Sequence, residues 1–253
     1  MKILFISLGC DKNLADSEEM LGLLTGNGHE IVDSEEEADA IVINTCCFIH
    51  DAKEESVNTI LEMAEYKKTG TCKILIVTGC MAQRYKEEIT EEIPEVDAVL
   101  GTTSYGDIVK ALNEAEAGHV FQEFKDINAL PEDSGRRVIT TGGHFGYLKI
   151  AEGCDKHCTY CIIPSLRGKF RSVPEERLLK QAEYMASQGV RELILVAQET
   201  TVYGTDLYGK KTLHILLKKL CQIKGIRWIR VLYCYPEEIY DELIQVMKEE
   251  KKI

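Results

Sequence analysis

Short apolar runs followed by helix-patterned stretches recur along this chain, and that alternation limits its fold more than any other feature. Ile3–Ser7, Ala40–Asn44, Lys73–Thr78 and Ala98–Leu100 read as strands. Asp16 and Glu19 have the spacing of a capping box, predicting a helix through Leu24 that stops at Gly26 and Gly28. Asp51 and Glu54 predict a helix running to about Lys68, and further helices are expected near Gln83–Glu92 and Gly106–Ala115. Apolar strands separated by helices argue for a parallel α/β sheet with crossover helices.

The rhythm lapses over residues 116–143, which are rich in glycine and polar residues. This stretch reads as a linker with an edge strand around Val120–Phe124. It resumes with strands at Tyr147–Ala151, Glu192–Ala197 and Arg227–Tyr233. Helices are expected from Ser172 and Glu175 to Gln188, over Leu213–Gln222 and over Glu237–Glu249. Three βα units are too few to close a parallel barrel. The expected organisation is an α/β domain over 1–115, a linker over 116–143 and an incomplete (βα) partial barrel over 144–253, belonging to a truncated protein. If Arg227–Tyr233 is an unpaired edge, the chain should aggregate readily.

No run approaches the roughly 18 apolar residues of a membrane span, and Met1 to Leu8 lacks a cleavage-site pattern. The cytoplasm is the default expectation, and there thiols stay reduced. Ten cysteines therefore call for an explanation other than disulfides. Cys47, Cys72, Cys221 and Cys234 fit as small core residues. The other six occupy positions of a different kind. The formal net charge of −12 suits a basic protein partner better than nucleic acid, whose phosphates require Lys and Arg.

Cys154, Cys158 and Cys161 form a C-x3-C-x2-C loop directly after a predicted strand. Closely spaced thiolates on one loop hold iron–sulfur clusters. Zinc sites favour C-x2-C pairs and four ligands, and no fourth Cys or His lies at a matching distance. The spacing favours a cluster with one open iron over zinc. His157 reads as a loop residue. Cys10, Cys46 and Cys80 are far apart in sequence, yet each falls just beyond a predicted strand. Parallel strands ending on one side bring such loops together at the carboxyl edge, where ligands bind. Three unrelated buried cysteines are the alternative.

The segment from Cys154 through Tyr160 and Cys161 resembles the radical S-adenosylmethionine superfamily. Leu8-Gly9-Cys10-Asp11-Lys12-Asn13, Asp16-Ser17-Glu18, Asn44-Thr45-Cys46 and Thr78-Gly79-Cys80 resemble the amino-terminal domain of its methylthiotransferases. The resemblance covers nearly the whole chain. It implies two 4Fe-4S clusters, one held by Cys154, Cys158 and Cys161 and one by Cys10, Cys46 and Cys80, each with an open iron. It implies S-adenosylmethionine on the first, cleaved by one electron to a 5′-deoxyadenosyl radical. It further implies that Tyr160 contacts adenine, that Ile162 follows as apolar backbone, and that Gln198 and Glu199 contact the methionine moiety. Arg167 and Arg171 match a basic segment able to grip a substrate carboxylate. Tyr160 as core packing, Gln198 and Glu199 as loop hydrogen bonders and the two arginines as solvated loop residues are the plainer readings.

Within the family, Gly9–Asn13, Ala197–Thr201 and Tyr203–Gly209 look like the branch that methylthiolates an aspartate of small-subunit ribosomal protein S-twelve. The implied partners are that protein or the small subunit, and an electron donor such as flavodoxin or ferredoxin. A transfer-RNA adenosine methylthiotransferase of the same family is the alternative. A non-catalytic iron–sulfur electron carrier is the alternative from another class. The family continues beyond Ile253 with the rest of the barrel and a small β-barrel domain, so the chain is expected to be a piece that need not be active by itself.

Overall fold

The computed structural model describes residues 1–132 and 134–253; Asp133, within the expected linker, lies outside them. In chain order the elements are β1 (Lys2–Ser7), α1 (Asp11–Gly26), β2 (Glu30–Val32), β3 (Ala40–Thr45), α2 (His50–Thr69) and β4 (Ile74–Gly79). Then come α3 (Cys80–Arg84), α4 (Lys86–Glu92), β5 (Ala98–Leu100), α5 (Ile108–Glu116) and β6 (Phe121–Glu123). The remainder comprises β7 (Phe145–Lys149), β8 (Ala151–Glu152), α6 (Ile163–Arg167), β9 (Arg171–Ser172), α7 (Glu175–Ser187) and β10 (Glu192–Val196). The last four are α8 (Thr205–Tyr208), α9 (Leu213–Cys221), β11 (Trp228–Val231) and α10 (Asp241–Glu249). Two compact units result: Met1–Val138 with Ser165–Arg167, and Ile139–Pro164 with Gly168–Ile253.

The first unit is built on a parallel sheet of order β2-β1-β3-β4-β5-β6. β3 and β4 are buried along their whole length, which explains why they read as unbroken apolar runs rather than alternating ones. Ile3, Val42, Ile76 and Leu100 from the strands pack with Met20, Leu24, Ile108 and Leu112 from α1 and α5. The chain leaves β1 for β2 on one side and returns to β3 on the other. The strand order therefore reverses between β1 and β3, where such sheets place their ligand crevice.

Three expectations change here. Asp16 and Glu19 do not cap a helix: α1 begins five residues earlier, at Asp11, with Cys10 at its N-cap and no side-chain cap. Both carboxylates are occupied elsewhere. Asp16 pairs with Arg167 at 2.8 Å, and Glu19 accepts from Tyr105 Oη at 3.2 Å. The spacing of a capping box arose from a buried polar helix face. The segment read as a linker also contributes to this unit. Its strand β6 pairs in parallel with β5, and Arg137 forks onto buried Glu18 of α1 through Nε and Nη2 (2.8 and 2.6 Å). The helix expected over Gln83–Glu92 is two helices, α3 and α4, broken at Tyr85.

The second unit has a parallel sheet of order β11-β10-β7 and a two-residue antiparallel ribbon, β8–β9. Leu148, Leu193 and Leu195 of the strands and Leu178, Met185, Leu216 and Leu220 of the helices are all fully buried in this unit. Ser172 is not an N-cap for α7, which starts after Pro174 without a side-chain cap. Its Oγ instead accepts from Gly204 N at 2.9 Å, and its N donates to Asp206 at 2.8 Å. β11 is the outer strand, yet not bare: Ile229 N donates to Lys252 O at 2.6 Å. No helix among the described residues is long and apolar enough to cross a membrane.

Candidate metal centres

In the first unit the carboxyl ends of the adjacent strands β1, β3 and β4 carry Cys10, Cys46 and Cys80. Cys10 precedes α1 and is exposed; Cys46 and Cys80 are buried. Gly9 has φ +92°, and a Cβ there would stand 2.6 Å from Cys46 Cβ and 3.0 Å from its Sγ. Glycine is what lets the first loop close onto the second.

Burial pushes the Cys80 thiol up to about 12; the Arg167 guanidinium opposes that shift, and the Cys46 and Cys10 thiols add to it. Burial likewise raises Cys46, helped by Cys10 and opposed by backbone N–H groups and Arg167. The three sulfurs thus lie within one another's electrostatic reach. Arg167 is the cation that Cys46 and Cys80 share, and its Nη1 donates to Asp16 and its Nη2 to Asn13 Oδ1.

Arg167 therefore departs from its sequence-based role. It is buried and already paired with a carboxylate, neither a solvated loop residue nor free to grip a substrate. Arg171 is half-buried and donates through Nη1 to the Lys169 carbonyl. Cys47 is buried and donates to the Cys80 carbonyl at 3.3 Å, consistent with a packing residue.

In the second unit Cys154, Cys158 and Cys161 are all half-buried on the loop after β8. Burial raises Cys154, with the Lys156 N–H at 3.4 Å opposing and Cys161, Cys158 and Glu199 adding to the rise. The loop is pinned throughout. Cys154 N donates to Gly168 O at 3.1 Å, Phe170 N to Asp155 Oδ1 at 3.0 Å and Cys161 N to Cys158 O at 3.0 Å. Lys156 pairs with Glu238 at 2.9 Å and sits 3.9 Å over the Tyr235 ring. Gly153 has φ +70°, and a Cβ there would meet the Lys169 carbonyl at 2.0 Å.

Tyr160 is 86% exposed, so it is not a core residue. Ile162 is half-buried at the start of α6. Gln198 holds a buried Oε1 for which no partner exists among the described residues. Glu199 is buried, and its Oε1 accepts from Thr201 N at 3.0 Å and Tyr235 N at 3.3 Å.

Among the described residues no three His, Cys, Asp or Glu side chains are gathered as one metal ion requires. A cuboidal cluster takes one thiolate on each of three irons, so its cysteines stand wider apart than the ligands of a single ion. Two sets of three soft sulfur donors fit such a group.

Sequence reasoning missed three residues at these sites. Asn13 joins the loops of the first site, Ser56 exchanges hydrogen bonds with Cys46 N and O (3.0 and 2.8 Å), and Glu238 anchors Lys156. None has a spacing signature, because each reaches its partner through the fold.

Residues 148–252 match the model of the Radical SAM superfamily, and residues 2–101 that of the Uncharacterized protein family UPF0004. The chain is similar to the radical S-adenosylmethionine methylthiotransferases. Its similar relatives include proteins named ribosomal protein uS12 methylthiotransferase RimO. The Lachnoclostridium phytofermentans protein is 66% identical over 100% of this chain and 58% of its own length. That from Clostridioides difficile is 52% identical over 98% of this chain and 56% of its own. The chain thus spans under two thirds of the length of the curated relatives it matches.

Among solved structures, the radical S-adenosylmethionine methyltransferase TsrM of Kitasatospora setae, with cobalamin and a [4Fe-4S] cluster bound, has the same fold. The TM-score is 0.57 at 10% identity, covering 100% of this chain and 65% of that one. The cobalamin-dependent radical enzyme OxsB gives a TM-score of 0.55 at 15% identity, covering 98% of this chain and 41% of that one.

Proposed function

We propose that this chain is the cluster-bearing part of an enzyme that methylthiolates an aspartate of ribosomal protein S-twelve. Two 4Fe-4S clusters and S-adenosylmethionine are its cofactors, held by Cys154, Cys158 and Cys161 and by Cys10, Cys46 and Cys80. The observation that carries the reading is the convergence of three thiols from β1, β3 and β4 at the sheet's switch point, in a chain that also has the pinned C-x3-C-x2-C loop.

When bound, the clusters supply one-electron cleavage of S-adenosylmethionine at one site and sulfur delivery at the other. The protein's share is orientation and exclusion of water. Three thiols per site, rather than four, leave one corner of each cube open to exogenous ligands. Tyr160 offers an exposed ring on which adenine can stack. Gln198 offers a buried acceptor for the ammonium of the methionine moiety. Glu199 holds the turn at Thr201 and Tyr235 in place beside it. At the first site Cys46 and Cys80 are shielded while Cys10 faces solvent, so approach is from the Cys10 side. Arg171 is the remaining basic candidate for the substrate carboxylate. The excess of 42 acidic over 30 basic residues favours encounter with a basic ribosomal protein. A soluble one-electron donor such as flavodoxin or ferredoxin completes the partners.

The test is anaerobic reconstitution, chemical reduction and product analysis. The reduced full-length enzyme should convert S-adenosylmethionine to 5′-deoxyadenosine, and its Cys158→Ala variant should not. No 5′-deoxyadenosine from the loaded full-length enzyme would refute the reading. Offering S-twelve protein and transfer RNA side by side decides the substrate: a methylthio mass gain on the protein's aspartate is expected, and a gain on RNA would overturn that choice.

A further inference from the structure

The three cysteines of the first site arrive on three separate loops, and a cube can form only if those loops keep register with one another. One buried side chain bonds to the stretch around each of them. Asn13, fully buried in the first turn of α1, donates through Nδ2 to Leu8 O at 3.1 Å, two residues before Cys10. The same nitrogen donates to Thr45 O at 2.9 Å, one residue before Cys46. Its Oδ1 accepts from Arg167 Nη2, whose guanidinium also reaches the Cys80 sulfur; the thiol of metal-free Cys80 donates to the same oxygen at 3.8 Å, and a ligating thiolate keeps the link through Arg167 alone. Two carbonyl oxygens facing one end of the amide and donors facing the other fix its orientation.

The helix itself is tied to β3 as well: Asn44 Nδ2 donates to Asn13 O and to Ser17 Oγ, both at 2.9 Å. No other residue type matches these demands. Aspartate would set a third oxygen against two carbonyls, and serine is too short to span both strand ends.

We propose that Asn13 is a positioning residue for the first metal site, setting the mutual spacing of Cys10, Cys46 and Cys80 through one carboxamide. This inference rests on the reading that those cysteines bind a cluster. Groups that orient metal ligands contribute about 10–100-fold in metal retention. A residue that only stabilised the fold would affect the cluster no more than any other lesion of equal cost in α1.

The experiment isolates the first site by replacing Cys154, Cys158 and Cys161 with alanine in the 253-residue chain. Three versions are compared after anaerobic reconstitution: Asn13 intact, Asn13→Asp, and Glu18→Gln. The last weakens the buried Arg137–Glu18 pair of the same helix and leaves the cysteine loops untouched. Asn13→Ser serves as a second lesion if the aspartate does not fold, with far-ultraviolet circular dichroism as the check.

The intact site should load about four irons. Asn13→Asp or Asn13→Ser should lose its iron to a chelator at about 10–100-fold lower concentration, with an altered electron paramagnetic resonance signal after reduction. Glu18→Gln should lower the urea midpoint while keeping iron and signal. Unchanged iron retention and signal in the Asn13 variants would overturn the inference. So would iron loss that tracks lost stability equally in Asn13→Asp and Glu18→Gln. No iron in the version with Asn13 intact would overturn the cluster reading itself, and this inference with it.

Discussion

Residues that look alike in the sequence are sorted by their surroundings. Burial raises the Cys46, Cys80 and Cys154 thiols, and the Arg167 guanidinium opposes the rise at Cys46 and Cys80. Cys80 shows this most clearly. Its thiol is pushed up to about 12 by burial, despite Arg167 beside it. An unfolded thiol ionises near 8.5. Above that pH the unfolded chain releases a proton that the folded chain retains, so stability falls as pH rises. We expect the metal-free protein to hold its urea midpoint up to about pH 8 and to lose stability between about pH 9 and 12. Cys80→Ala should flatten that decline in part. A midpoint constant to pH 11 would contradict the burial assigned to this thiol.

Gly153 makes a second test at this scale. With φ +70° and a carbonyl where its Cβ would stand, Gly153→Ala should cost roughly 1–3 kcal/mol. It should also loosen the Cys154 loop, so that the second site loads less iron. Denaturation and iron analysis of the one variant read both effects.

Helix α1 is the element on which sequence reading and structure differ most. A helix through Leu24 was expected from the Asp16 and Glu19 spacing, and one is present, with Met20, Leu21 and Leu24 buried along it. The start was misplaced because buried polar residues on a ligand-facing helix imitate a cap. Lys12, Asn13, Asp16, Ser17, Glu18 and Glu19 are all buried, which a rule of polar-outside patterning does not anticipate. Strand β2 escaped notice for the opposite reason: three half-exposed residues give no apolar run.

The stretch at 116–138 lacks periodicity, so its attachment could not be read from pattern. Its Arg137 is held by Glu18, 119 positions away in the chain. Replacing Arg137 by Met leaves the Glu18 carboxylate buried without that guanidinium. The expected loss is about 3–5 kcal/mol, and Glu18→Leu in the same chain should restore much of it. If Arg137→Met unfolds at the wild-type urea concentration, the stretch is a tether and not part of the first unit.

At the scale of the whole molecule, each of two α/β units carries three thiols, the first set beyond the carboxyl ends of parallel strands and the second on the loop after β8 of the β8–β9 ribbon. The second triplet was legible because its ligands share one loop. The first was legible only as a coincidence of strand ends, and the sheet order makes neighbours of β1, β3 and β4. What remained hidden was the polar scaffolding, Asn13, Ser56 and the inward turn of Arg167. Most of their hydrogen-bond partners lie 10 to 154 positions away in the chain and leave no local trace.

Iron and acid-labile sulfide counted per chain after anaerobic reconstitution bear most directly on the two-site account. The intact chain should hold about eight irons. Alanine at Cys10, Cys46 and Cys80 together should halve that, as should alanine at Cys154, Cys158 and Cys161. An intact chain that binds about four irons, all lost with one triplet and none with the other, would contradict it.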